Sequence, residues 1–135
     1  MEKGYLHWGH DIGVEENPFE AGVGFCVNLN KKNPFLGQAA LEEKKKSGLS
    51  KRKVNFALSN NDLLIYHNEP IYFDGKIVGE ISSGMYGFYL DKSLGMGYIS
   101  NNDSYSIEEM MNHQKFEIEV SETKYSAEGS INCFY

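Results

Sequence analysis

The 135 residues fit one ordinary domain, or the tail of one domain joined to a second small one. A formal charge of −6 and a pI near 5.2 argue against a sequence-independent grip on nucleic acid, which needs Lys and Arg clustered along phosphate. There is no apolar run of about 18 residues to span a membrane. The polar start Met1-Glu2-Lys3-Gly4-Tyr5 lacks the apolar core of a signal peptide, so a soluble chain of the cytoplasm or an organelle matrix is expected.

Asn17-Pro18 marks a first turn, because the residue before proline is pushed out of the helical region. Phe19 to Leu29 is largely apolar but holds Gly22 and Gly24, which predicts a short helical turn leading into a strand. Asn33-Pro34 then opens a helix over about Leu36 to Ser47. Leu36, Ala40 and Leu41 form its apolar stripe, and Lys44, Lys45 and Lys46 lie in its last turn, where cations suit the helix dipole. Gly48 stops it.

From Lys51 the texture changes to β-structure. Val54, Phe56 and Leu58 alternate on one side of a strand. Ile71-Tyr72-Phe73 and Lys76-Ile77-Val78 flank Asp74-Gly75, a two-residue hairpin turn, pairing Tyr72 with Ile77 and Ile71 with Val78. Both faces of that hairpin carry apolar groups, which suits a barrel wall covered on each side. Further strands are expected at Ser82 to Leu90, Met96 to Ile99, Phe116 to Val120 and Tyr125 to Ile131. Ser106-Ile107-Glu108-Glu109 is a capping box, placing a short helix from Ile107 to His113. The fold class read from this pattern is α+β, with a small antiparallel, jelly-roll-like β-barrel in the C-terminal part.

Residues that bear chemistry are few. His7, His10 and Asp11 offer nitrogen and oxygen ligands for a metal, against which stands a Gly-flanked turn carrying two ordinary histidines; the turn is favoured and no metal is assigned. Cys26 and Cys133 lie outside any Cys-x-x-Cys spacing. They read as reduced, buried structural thiols rather than nucleophiles, with a distant disulfide as the alternative. Gly22-Val23-Gly24 is followed by Val27 where a dinucleotide fingerprint wants a small residue, so it carries no signal. Lys44 to Lys46 with Lys51, Arg52 and Lys53 can attract an anionic ligand tail, but a solvated helix end is the simpler reading.

Several blocks in order carry a resemblance. Glu2-Lys3-Gly4-Tyr5-Leu6-His7-Trp8-Gly9-His10-Asp11-Ile12, Asn17-Pro18-Phe19-Glu20-Ala21-Gly22 and Phe35-Leu36-Gly37-Gln38-Ala39-Ala40-Leu41 are followed by Glu69-Pro70-Ile71-Tyr72, Asp74-Gly75-Lys76, Ile81-Ser82-Ser83-Gly84 and Lys92-Ser93-Leu94-Gly95-Met96-Gly97-Tyr98-Ile99. Together they resemble the aminomethyltransferase family, which includes the glycine cleavage T-protein and the C-terminal folate region of sarcosine and dimethylglycine dehydrogenases. The first two blocks are closer to the dehydrogenase branch, although Leu6 stands where an arginine is common there.

The resemblance implies that residues 1–49 end a folate-binding α/β domain, incomplete here, and that residues 50–135 form the C-terminal β-barrel. It implies tetrahydrofolate as ligand, with Glu2 on the pterin ring, because a carboxylate accepts paired N–H bonds from the 2-amino group and the adjacent ring nitrogen. Tyr5 and Trp8 are aromatic neighbours for stacking, and Ser83 and Tyr86 belong to a Ser82–Tyr86 loop approaching the folate channel. No catalytic residue is assigned to this chain. The family's catalytic aspartate and the dehydrogenases' FAD domain belong to an N-terminal portion, on the same enzyme or on a partner chain. The expectation is thus part of an FAD-dependent N-methylglycine oxidoreductase that passes a one-carbon unit to tetrahydrofolate. The alternatives are a fragment of a T-protein-like aminomethyltransferase, or a non-catalytic docking module.

Overall fold

The computed structural model describes residues 1–60 and 62–135. Six antiparallel strands carry the second part of the chain: β1 Lys51–Leu58, β2 Pro70–Phe73, β3 Lys76–Gly87, β4 Lys92–Ser100, β5 Phe116–Val120 and β6 Thr123–Ser130. They close into a barrel in the order β1-β4-β3-β2-β5-β6. Closure is made by β1, which pairs with β4 on one side (Phe56 opposite Gly95) and β6 on the other (Phe56 opposite Gly129). The inward residues of β1 expected from alternation, Val54, Phe56 and Leu58, are all buried, and they join Ile71, Phe73, Ile81, Ile99, Phe116 and Ile118 in the core. Met110 enters that core from the helix α2 (Ile107–His113), and Ile65 from the segment joining β1 to β2.

The β2–β3 turn forms at Asp74 and Gly75, both at positive φ (49° and 80°), the requirement of a type I′ turn. Tyr72 pairs with Ile77, but Ile71 pairs with Gly79 rather than Val78, because the register shifts by one between Ile71 and Tyr72. Nor is the hairpin's outer face covered: Ile77 is exposed. The wall covered on both sides is β1, where Lys53 and Asn55 point outward and are buried all the same. The strand expected from Ser82 forms as part of β3, paired continuously with β4 from Ser83 opposite Met96 to Tyr86 opposite Ser93, so the Ser82–Tyr86 stretch that the resemblance implied to be a loop is sheet, and the strand ends at Gly87 rather than Leu90. The capping box of α2 is present, with Ser106 Oγ accepting from the Glu109 amide.

The cover over β1 is the N-terminal arm. Asn17 Oδ1 accepts from the amides of Phe19 (2.9 Å) and Glu20 (3.1 Å), fixing the turn at Asn17-Pro18. The expected strand after it does not form; only a 3₁₀ turn, Gly24–Cys26, is present. A closed barrel offers no free edge, since both sides of β1 are taken by β4 and β6. The helix α1 spans Gln38–Ser47, ends at Gly48 as expected and buries no residue. Cys26 and Cys133 are exposed free thiols, which corrects their assignment as buried: Cys26 sits on the 3₁₀ turn and Cys133 beyond the last strand, both outside the core.

Candidate functional site

The arm begins with a turn in which the Gly4 amide donates to the Met1 carbonyl (2.8 Å), bringing Glu2 to the connection between β3 and β4. There Glu2 Oε1 accepts from two successive backbone amides, Tyr89 (2.7 Å) and Leu90 (3.0 Å). Among the described residues no donor reaches Oε2. The connection is stapled at its base, where the Tyr86 hydroxyl donates to Asp91 Oδ1 and Asp91 holds a positive φ of 53°. That bond to a carboxylate raises the Tyr86 pKa above the ordinary tyrosine value. The Tyr86 ring packs edge-on against Phe88, Tyr89 lies against Tyr135, and the Lys3 ammonium sits 5.1 Å above the Tyr135 ring. Of the five residues singled out in the sequence, the structure thus joins Glu2 and Tyr86 through one turn. Tyr5 and Trp8 project from the arm, 79% and 68% exposed, and Ser83 lies half-buried on β3.

A second junction holds the middle of the arm. Asp11, 2% exposed, accepts from Ser82 Oγ (2.6 Å) and from the His7 amide (2.9 Å), while its carbonyl accepts from the Tyr98 hydroxyl (2.8 Å). With both carboxylate oxygens engaged, Asp11 is a clasp between arm and barrel. Burial, followed by the nearby carboxylates of Glu16, Asp11 and Glu20, pushes the Tyr98 hydroxyl well above its ordinary pKa, so it stays a donor. Glu16 pairs with Lys51 (2.8 Å), and that bond holds the Glu16 carboxyl below its usual value. The Arg52 guanidinium donates to the Phe19 carbonyl, and the Lys53 amide to that of Glu20 (2.8 Å). Lys53 Nζ, 6% exposed, donates to Asn55 Oδ1 (3.0 Å); burial lowers its pKa, Arg52 adds to the shift, and Asp11 and Cys133 oppose it. Lys51 to Lys53 therefore serve the arm–barrel junction rather than a ligand tail.

Sequence reasoning missed the roles of Asp11, Ser82 and Tyr98. The available signal was the apposition of an acid at a Gly-flanked turn with hydroxyls on strand positions, but no short-range pattern pairs residues 71 or 87 positions apart. A groove of about 890 Å³ lies away from these junctions, between the 3₁₀ turn and α1, lined by Phe19, Phe25, Val27, Leu29, Lys45 and Lys46 among others. It is open to solvent and holds neither Glu2 nor Tyr86.

A closed six-stranded barrel with an arm clasped across its first strand defines the class: the chain belongs to the family of the glycine cleavage T-protein C-terminal barrel domain, whose family model matches residues 51–135. Human mitochondrial dimethylglycine dehydrogenase is 38% identical over 99 residues, 73% of this chain and 11% of the relative. The aminomethyltransferase of Synechocystis sp. is 32% identical over 135 residues, all of this chain and 34% of the relative. Among solved structures, the glycine cleavage system aminomethyltransferase T from Bartonella henselae shares the fold, with a TM-score of 0.76 at 22% identity, covering 96% of this chain and 34% of that one. The chain thus spans about a tenth of the length of the dehydrogenase it matches and about a third of the aminomethyltransferases. No helix among the described residues is long and apolar enough to cross a membrane.

Proposed function

We propose that this chain forms the C-terminal, tetrahydrofolate-binding portion of a sarcosine/dimethylglycine dehydrogenase-like flavoenzyme that passes a one-carbon unit to tetrahydrofolate. Residues 1–49 then end the folate domain and residues 50–135 are its barrel. The observation that supports this reading is the Glu2 carboxylate, fixed by one oxygen on two barrel amides with the other oxygen left for a ligand. A carboxylate so held can accept the paired N–H groups of a pterin edge without first having to be ordered. Tyr5 and Trp8 supply exposed aromatic faces on the same arm for stacking, and Ser83 and Tyr86 belong to the stretch of β3 that leads into the turn holding Glu2. FAD belongs to another domain, and no residue of this chain is assigned to its chemistry. The exposed Phe25 and Leu36 on the arm suit contact with the N-terminal portion of the enzyme or with a partner chain.

A second reading is the corresponding portion of a T-protein-like aminomethyltransferase. It is favoured by an alignment with such an enzyme that runs the whole length of the chain. Both readings share the folate site and differ in the domain that supplies the one-carbon unit.

The test is a titration of the chain with 5-formyltetrahydrofolate followed by amide NMR, alongside assays with sarcosine and dimethylglycine. Weak, saturable binding is expected, because most of a pocket's wall lies outside these residues, with no turnover of either amine. Glu2→Ala is expected to weaken binding by about 1.5–3 kcal/mol, the range for a hydrogen bond to a charged group. Unaltered binding in that variant removes Glu2 from the site.

A further inference from the structure

The metal set that the sequence offered, His7, His10 and Asp11, is broken by the structure, which commits both Asp11 oxygens to Ser82 Oγ and the His7 amide. Another imidazole stands in exchange. His67, on the connection between β1 and β2, lies edge-on to His10 with 5.9 Å between ring centroids, and His7 lies 6.1 Å from His10. All three residues are exposed. The hydrogen bonds of His7 and His10 are made by backbone groups, so their ring nitrogens keep their lone pairs. Both carriers are anchored. His10 adjoins the Asp11 clasp. His67 lies between Ile65, buried in the core with its amide 3.4 Å from Ser93 Oγ, and Asn68, whose amide donates to the Ile81 carbonyl (2.7 Å).

Two imidazoles on one zinc ion, each with a Zn–N bond of about 2.0–2.1 Å, hold their ring centroids roughly 5 Å apart at the tetrahedral angle. His10 and His67 reach that spacing by closing about 1 Å, which rotation of exposed side chains supplies. Among the described residues no three donors converge as a preformed centre, so the arrangement is an open one, with water in the remaining positions. We propose that His10 and His67 form a site for a divalent cation of the zinc type, which suits imidazole nitrogen where Mg²⁺ and Ca²⁺ suit oxygen, with His7 as the nearest further ligand. Such an ion is a fastening between arm and barrel. With it bound, the stretch that carries Tyr5 and Trp8 is tied to the β1–β2 connection as well as through Glu2 and Asp11. The proposal stands apart from the folate reading.

The test titrates the ¹⁵N-labelled 135-residue chain with zinc chloride, following the imidazole resonances and the exchange of the amides of residues 5–12. The His10 and His67 rings are expected to shift together and to saturate at one zinc per chain, while the arm amides exchange more slowly. Magnesium chloride at the same concentration is expected to move neither ring. His10→Gln and His67→Gln are each expected to lower zinc affinity by more than about 10-fold, a loss already typical of groups one step behind a ligand. Both side chains are exposed, so the fold survives the changes, and an unaltered urea midpoint without metal checks this. His113→Gln, on α2, is expected to bind zinc as the parent does. Unaltered affinity in His67→Gln overturns the bridge and leaves a chelate within the arm. An equal loss in His113→Gln, or shifts that never saturate, overturns it as well and reduces zinc to adventitious surface binding. Zinc bound with unchanged arm exchange overturns the fastening.

Discussion

The barrel and the arm are stabilised in different ways. The barrel rests on a dry aromatic cluster: the Phe116 ring stands edge-on to Phe56 (5.4 Å between centroids) and to Phe73 (5.1 Å), all three within the core. The arm contributes a single buried apolar residue, Ala21, to the chain's interior. What fastens it is a row of directional bonds: Glu2 to the β3–β4 turn, Asp11 to Ser82, Glu16 to Lys51, and the Phe19 and Glu20 carbonyls to Arg52 and Lys53. Burial of apolar area is non-directional and additive, whereas a polar clasp fails as soon as one partner is removed. The same chain therefore has a part that tolerates a lost hydrogen bond and a part that does not tolerate it.

The sharpest way to break this comparison is to delete a ring from each region. Phe56→Ala is expected to cost about 3–5 kcal/mol, by lost burial and a residual cavity. Phe25→Ala, at a side chain 89% exposed, is expected to stay within about 0.5 kcal/mol. Urea midpoints of the two variants decide it, and equal losses would show that the arm is packed as the barrel is. Next comes Asp11→Ala, which strips the part-buried His7 amide of its acceptor and leaves the Ser82 hydroxyl only the Met96 carbonyl, at about 1–3 kcal/mol. Its signature is regional: amide exchange of residues 1–27 accelerates while the strands stay protected. Uniform acceleration would mean that arm and barrel unfold as one unit. Ser106→Ala removes the cap of α2 and is expected to lower stability by about 1 kcal/mol, read as a fall in melting temperature with the arm's exchange unchanged.

The smallest effect concerns pH. Glu16 has its folded pKa depressed by Lys51, so the pair stabilises the fold fully above the unfolded carboxylate value of 4.5, and this contribution fades as pH falls through the lower folded value. Glu16→Gln is expected to flatten that part of the stability profile by less than about 1 kcal/mol, and added salt to do the same. A variant profile as steep as the parent's would assign the acid sensitivity to other groups.

Much of the barrel was legible because its signals are local. The Asp74-Gly75 turn, the alternation of Val54, Phe56 and Leu58, and the Ser106–Glu109 box each occupy fewer than ten residues, and each formed where expected. The register slip at Ile71 was not legible, because it answers to pairing on both sides of β2, with β3 and β5. The arm was the hardest part to read: its apolar run from Phe19 to Leu29 looks like strand material, and only the closed sheet leaves it without a partner. Of the site, the acid at Glu2 and the aromatic at Tyr86 were visible one by one. The turn that joins them was not, since the Glu2 contacts span 87 and 88 residues of sequence.

The pairing of β1 with β6 has a kinetic consequence. Asn55 meets Ser130 and Leu58 meets Ala127, so the first strand can finish its hydrogen bonding only when the last one is available. During synthesis the barrel stays open until nearly all of this chain has left the ribosome, and until then Val54, Phe56 and Leu58 have no complete lining to bury against. Topologies dominated by such distant contacts fold in about milliseconds to seconds rather than microseconds. β6 thus serves as the closing strand of folding, and a truncation that removes it leaves every earlier strand present in sequence and the barrel unable to assemble.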